Sequence, residues 1–218
     1  MDREEGAEGV GHPPTFPPPP LLSASTCPTH PPTPHPLNIV HIAAELAPRV
    51  KVGGLGDVVA GLSLACAAHG HAVTVMLPWY ECLPESAVEG LTLVDEFDVP
   101  KGRVEGGRMV AHPLRTRVWG GVLDGVAVLL VRPDWDACGL FRGARIYGGS
   151  YNEAEAYLYF CRACLDHLDR AVAAGARPTP HALHVHDWQA CPAAMLYWHA
   201  WSTGGAGGRP HRADGAQL

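Results

Sequence analysis

Basic residues are in short supply: 16 Lys plus Arg stand against 22 Asp plus Glu, a net charge of −6 with thirteen neutral histidines. That deficit removes the cationic surplus through which proteins hold nucleic acid or anionic lipid without regard to sequence, so neither partner is expected. Also missing is an unbroken apolar stretch near the roughly 20 residues that span a bilayer. The apolar runs are interrupted by His, Asp, Gly or Pro, so no membrane segment is expected. The seven cysteines are odd in number, scattered and mostly set in apolar surroundings, which fits buried reduced thiols in a reducing compartment better than a secreted disulfide frame. Cys161 and Cys164 do form a C-x-x-C. It lies inside a helical pattern, with no second cysteine pair to complete a zinc site, so a helix face is the expected role.

What is present is 218 residues, 47% of them hydrophobic, enough for one sizeable core. Residues 1–36 hold eleven of the 21 prolines, and proline withholds an amide donor and blocks regular helix or sheet, so a disordered leader is expected there. The leader opens acidic, with Asp2, Glu4, Glu5 and Glu8, and matches an Arg-rich, acid-poor transit peptide badly. Any such targeting segment is expected upstream. Residues 202–218, Gly-rich and without hydrophobic period, read as an unstructured tail, which leaves 37–201 as the ordered domain.

Inside that domain, strand patterns at Asn38–Ala43, Ala72–Leu77, Leu91–Val99, Arg108–Val118, Val126–Val131 and Ala182–His186 alternate with helical patterns. The helices are predicted at Asp57–His69, Glu153–Ala173 and Asp187–Trp201, the last with Pro192 in its first turn. The Arg108–Val118 pattern is the least regular strand, broken by His112 and Pro113. Near-continuous apolar strands alternating with helices predict an α/β fold with a mostly parallel, Rossmann-like sheet.

Ligands of such sheets collect beyond the strands' carboxyl ends. After the first strand comes Glu45-Leu-Ala-Pro-Arg-Val-Lys51-Val-Gly53-Gly54-Leu-Gly56-Asp57, a glycine-rich run leading into a helix start, where free amides and the helix dipole favour an anion. Lys51 adds a full positive charge, so the run reads as a phosphate cradle. A dinucleotide fingerprint is disfavoured because Val59 stands where its third glycine belongs. A nucleotide-triphosphatase loop is excluded because no Gly-Lys-Ser/Thr follows. A plain helix cap with two turn glycines is the alternative. After the last strand comes His184-Val-His186-Asp187-Trp188-Gln189, where period two puts His184 and His186 on one face. Imidazoles there can hydrogen-bond sugar hydroxyls. Zinc needs further ligands, and no Cys or Glu cluster stands beside the pair at ligand spacing. Asp187 fits a helix N-cap.

Taken together, Ile39-Val-His-Ile-Ala-Ala-Glu45, Lys51-Val-Gly-Gly-Leu-Gly-Asp-Val-Val59, His71-Ala-Val-Thr-Val-Met-Leu-Pro78, Arg142-Gly-x-x-Ile-Tyr147-Gly148, Phe160-Cys-Arg-Ala-Cys-Leu165 and His184-Val-His-Asp-Trp-Gln189 resemble, in order, the motifs of bacterial glycogen synthases and plant starch synthases. Among these the chain is most similar to soluble starch synthases of classes III and IV. The resemblance implies the N-terminal lobe of a two-lobed (GT-B) retaining glucosyltransferase, which moves glucose from ADP-glucose to the non-reducing end of an α-1,4-glucan in the plastid stroma. It implies no metal and no cofactor, ADP-glucose being a substrate.

By that likeness Lys51, Gly53, Gly54 and Asp57 bind the donor, His186 is the catalytic-site group at the transferred glucose, and Glu45 and Tyr147 are further substrate contacts. Ala156 stands where the family usually has an arginine. The family also continues into further strands and a second lobe, so this chain alone is expected to be inactive. The alternative is a non-catalytic glucan-binding or assembly module, with Trp79, Tyr80, Trp198 and Trp201 as candidate sugar-stacking rings, core or partner-lobe packing being the competing role for them.

Overall fold

In the computed structural model residues 35–202 are described. The leader up to residue 34 and the tail beyond residue 202 lie outside them. Three β-branched runs, β1 (Asn38–Ile42), β2 (Ala72–Pro78) and β5 (Val126–Pro133), form the centre of a six-stranded sheet that β3 (Glu89–Glu105), β4 (Arg108–Leu123) and β6 (Ala182–Val185) complete in the order β3-β4-β5-β2-β1-β6. The short strand β6 (Ala182–Val185) pairs with β1 on its other side, and β1–β2, β1–β6 and β2–β5 are all parallel. The three central strands are apolar and buried along most of their length, with Val40, Ile42, Val75, Met76, Leu77, Leu129, Leu130 and Val131 in the core, while of β6 only Leu183 is buried. This is the expected Rossmann-like α/β arrangement, with the last strand returning to lie beside the first.

The other two strands differ from expectation in length and direction. β3 (Glu89–Glu105) and β4 (Arg108–Leu123) form a long antiparallel hairpin that extends the sheet beyond β5. Its turn, Gly106-Gly107, and the next one, Asp124-Gly125, have positive φ at both central residues. That geometry matches the strand twist and favours glycine, and it explains why each run continues past the predicted ends. Pro113 is tolerated within β4 because residues before Thr116 pair with β3 only, where Pro100 lies opposite, so its missing amide falls on an unpaired side.

Helix α1 (Gly54–Ala68) connects β1 to β2 and starts a turn earlier than its apolar pattern suggests, because Gly54 to Gly56 carry no periodic signal. It buries small residues at helical spacing, Gly56, Val59 and Ser63. Helix α2 (Glu153–Ala173) has the predicted bounds and is capped by Asn152, whose side chain accepts from the Glu155 amide at 3.1 Å. Cys161 and Cys164 are both buried on its inner face, where burial pushes the Cys161 thiol up to about 12. They are therefore protonated packing groups. Ala156, in the first turn, is fully buried.

Helix α3 (Asp187–Leu196) is shorter than predicted and passes into a π-helical turn over Tyr197–Ser202. Pro192 lies inside it, not in its first turn. The ring has no N–H for the carbonyl four residues back, and the helix accommodates that loss.

Candidate functional site

In this strand order the connection after β1 runs to one side and β6 returns on the other, so the loops after β1 and β6 meet at the sheet's switch point. The β1 loop carries Glu45, Lys51 and the glycines, and the β6 end carries His186. Glu45 is 3% exposed, and both its carboxylate oxygens are used. Oε2 accepts from the Val52 amide at 3.0 Å and the Gly53 amide at 3.2 Å, while Oε1 accepts from the Tyr147 hydroxyl at 2.9 Å. Gln189, on α3, donates its Nε2 to the same tyrosine oxygen at 3.0 Å. Burial, then the Glu45 carboxylate, push the Tyr147 phenol far above its ordinary value, so it stays a donor. One carboxylate thus ties the glycine loop to the long β5–α2 connection and, through Tyr147, to α3.

This arrangement changes the part played by Gly53. Its amide is taken by Glu45, whereas α1, which begins at Gly54, has no side-chain cap. The open amides are those of the helix's first turn, carrying the positive end of its dipole. A Cβ built on Gly53 or Gly54 would meet nothing within 4 Å, so there is open space on the side-chain side of both. Gly56 faces inward: a Cβ there would stand 3.1 Å from the Ala47 amide nitrogen and 3.3 Å from the Lys51 stem. Lys51 is laid against the helix start by that absence. Its ammonium pairs with Asp57, in the first turn of α1, at 2.5 Å. Both side chains are well exposed, so the pair is worth little to stability, about 0–1 kcal/mol.

The open space gives a sharp expectation for Gly54→Ala. Alanine improves helix propensity by up to about 1 kcal/mol, so thermal unfolding should show equal or higher stability. A ligand lying against the first-turn amides should nevertheless bind more weakly, which titration calorimetry would read.

His186 ends the β6 segment, its amide bonded to the Ile42 carbonyl at 3.0 Å. Sequence reasoning paired it with His184; the structure adds His41, from β1, in register opposite His184. The Nδ1 of His41 and Nε2 of His186 are 2.9 Å apart, and the His184 and His186 rings lie 4.1 Å apart between centres. His41 carries no signal of its own in the sequence, and it is the β1–β6 pairing that brings the three rings together.

Burial, then repulsion from His186 and His184, lower His41 to about 4. Burial, then His184, lower His186 to about 4. Both are therefore neutral at pH 7 and share one proton between the facing nitrogens. His41 Nε2 is buried without a partner. A lone pair is less costly to leave unpaired than an N–H, so we assign the bridging proton to His41 Nδ1. His186 then carries its own proton on Nδ1 as a donor.

Asp187 is not the helix cap expected of it. The cap position is His186, and Asp187 turns the chain in the left-handed region (φ 62°), its carboxylate accepting from the Trp188 amide at 2.6 Å. A non-glycine residue there stores backbone strain, which concentrates at functional turns. Of the candidate stacking rings, Trp79 and Tyr80 are buried in the core, where the Tyr80 hydroxyl bonds to Ala44 and Tyr157. Trp198 is exposed, and the side chain of Trp201 lies outside the described residues. Trp188, half exposed, is the ring the sequence reading passed over.

The Rossmann-like sheet of this α/β protein thus brings an uncapped helix start, a lysine and a buried carboxylate–tyrosine pair together at its switch point. Comparison with known proteins makes this specific. Residues 38–207 match the starch synthase catalytic domain family. The chain is 38% identical over 162 residues to soluble starch synthase 3a, chloroplastic/amyloplastic, of Oryza sativa subsp. japonica, covering 74% of this chain and 8% of that protein. It is 36% identical over 174 residues to probable starch synthase 4, chloroplastic/amyloplastic, of Arabidopsis thaliana, covering 80% and 15%. A glycogen synthase of Protochlamydia amoebophila is 34% identical over 161 residues, covering 74% and 29%. Among solved structures, the catalytic domain of starch synthase IV from Arabidopsis thaliana bound to ADP and acarbose superposes with a TM-score of 0.63 at 33% identity, covering 84% of this chain and 33% of that one.

The chain belongs to the starch synthase catalytic domain family, and it spans less than a third of the length of these curated relatives.

Proposed function

We propose that this chain carries the donor side of a retaining glucosyltransferase that moves glucose from ADP-glucose to the non-reducing end of an α-1,4-glucan in the plastid. The observation that carries the reading is the uncapped start of α1 with Lys51 laid against it and open space beside Gly53 and Gly54. The amides of Gly54 and the following residues meet the diphosphate. Lys51 exchanges Asp57 for a phosphate oxygen and so offsets charge on the leaving group. Asp57 holds Lys51 until the donor arrives, Glu45 and Tyr147 fix the loop, Gly53 serves as its anchor, and the Nδ1–H of His186 donates to a hydroxyl of the transferred glucose. ADP-glucose is a substrate, and neither a cofactor nor a metal is part of this chemistry. The ADP in the solved relative and the chloroplastic/amyloplastic relatives support the donor and the compartment.

Transfer requires the leaving diphosphate to be met from every side in one geometry. The matched stretch is a third of the solved relative, so the 218-residue chain is expected to bind ADP without turning over. Incubating the purified chain with labelled ADP-glucose and glycogen tests this. Robust incorporation would overturn the no-turnover reading, and failure to bind ADP would overturn the donor site. A second reading, a glucan-binding module, is favoured by Trp188 and Trp198, 50% and 66% exposed at α3 and the turn that follows it. Retention on amylopectin without ADP binding would select it.

A further inference from the structure

The cluster His41, His184 and His186 has a geometry that hydrogen bonding to a sugar does not require. Two histidines two apart on β6 and a third directly opposite on β1 converge from adjacent strands. One ring nitrogen from each lies within 4.8 Å of the others. Zinc takes imidazole nitrogens at about 2.0–2.1 Å in tetrahedral sites, which places neighbouring ring centres roughly 5 Å apart. The His41–His184 and His41–His186 centres are already 5.2 and 5.1 Å apart. Only the His184–His186 pair, at 4.1 Å, has to open, by about 1 Å, and His184 is exposed and able to turn. The facing nitrogens of His41 and His186, 2.9 Å apart, compare with roughly 3.3 Å for two nitrogens on one tetrahedral ion.

We propose that His41, His184 and His186 form a three-imidazole site for a borderline divalent cation of the zinc class, with the fourth position open to solvent or substrate. Hard cations such as Mg²⁺, which prefer oxygen ligands, are excluded by the all-nitrogen donor set. Coordination through His41 Nδ1 replaces the hydrogen bond between His41 and His186, and the Nδ1 proton moves to His41 Nε2, where it becomes a buried N–H whose cost the metal bond has to offset. On the donor-site reading above, the ion takes the Nε2 of His186 that faces His41 and leaves its Nδ1–H to the transferred sugar, so ion and sugar share one residue without competing for one nitrogen.

The test is binding of Co²⁺ to the full chain, read by its visible d–d absorption, with Zn²⁺ as competitor. The expected result is one tetrahedral Co²⁺ per chain, displaced by Zn²⁺ and not by Mg²⁺, with affinity falling 10-fold or more in His184→Asn and in His41→Gln. His184→Asn alters an exposed side chain and guards against misfolding of the buried variant. Thiolate ligation would announce itself by intense near-ultraviolet charge-transfer bands, so an unchanged signal in both variants, or thiolate bands, would overturn the proposal. So would the absence of any tetrahedral spectrum. Because none of these readouts needs turnover or ADP, metal binding can fail while the donor site stands, and the reverse.

Discussion

Lys51→Ala is expected to leave stability within about 0.5 kcal/mol of the parent, since its pair with Asp57 is exposed. It should weaken ADP binding by at least about tenfold, the scale of one charge-assisted contact to phosphate. Glu45→Ala should behave differently. It strips acceptors from the Val52 and Gly53 amides and from the Tyr147 hydroxyl, at a residue 3% exposed. The loop can turn part of this toward water, so a loss of about 2–4 kcal/mol is expected, with ADP affinity falling as the loop loosens. Urea unfolding and calorimetry on the two variants separate the roles. If Lys51→Ala cost several kcal/mol of stability with ADP affinity untouched, the lysine would be a structural residue. If folded Glu45→Ala bound ADP as the parent does, the carboxylate would have no part in shaping the cradle.

Between pH 7 and pH 5 the chain should lose about 2–4 kcal/mol of stability from His41 and His186 alone. Each sits near 4 in the folded state against an ordinary 6.5. The unfolded chain therefore takes up protons first as pH falls. Stability is full above about 6.5 and drains away down to about 4, at roughly 1.4 kcal/mol per pH unit per ring. His167, lowered by burial despite its bond to Asp95, acts in the same direction. Urea midpoints at pH 7 and 5 check this, and His41→Phe, which keeps a ring and removes a titrating group, should show a visibly smaller loss. An equal loss in that variant would place the acid sensitivity elsewhere.

Much of the site was legible because its chemistry is local. Lys51, the glycines and Asp57 lie within seven residues, and the helix-start signal needs no tertiary knowledge. The parallel centre of the sheet was legible too, from apolar runs at β1, β2, β5 and β6. What the sequence hides is partnership over distance. Glu45 reaches Tyr147 across 102 positions and His41 reaches His186 across 145, and neither pairing leaves a spacing to read. Gln189, which completes the tyrosine's bonds, reads in sequence as one more polar residue in a helix. Gly53 was legible as a donor, but its amide belongs to Glu45. Trp79 and Tyr80 read in sequence either as stacking rings or as core, and the structure makes them core, with the Tyr80 hydroxyl bonded to Ala44 and Tyr157. The antiparallel hairpin was missed as a hairpin because its second arm mixes polar, glycine and proline residues that only the pairing with β3 reconciles.

Amide chemical-shift perturbation in the ¹⁵N-labelled chain on adding ADP addresses the donor cradle most directly. The largest shifts should fall on Gly54, Leu55 and Gly56, with smaller ones at Val52 and Gly53 as Lys51 leaves Asp57. Shifts clustered on another surface, such as the β3–β4 hairpin, with the start of α1 silent, would contradict the cradle and the donor assignment built on it.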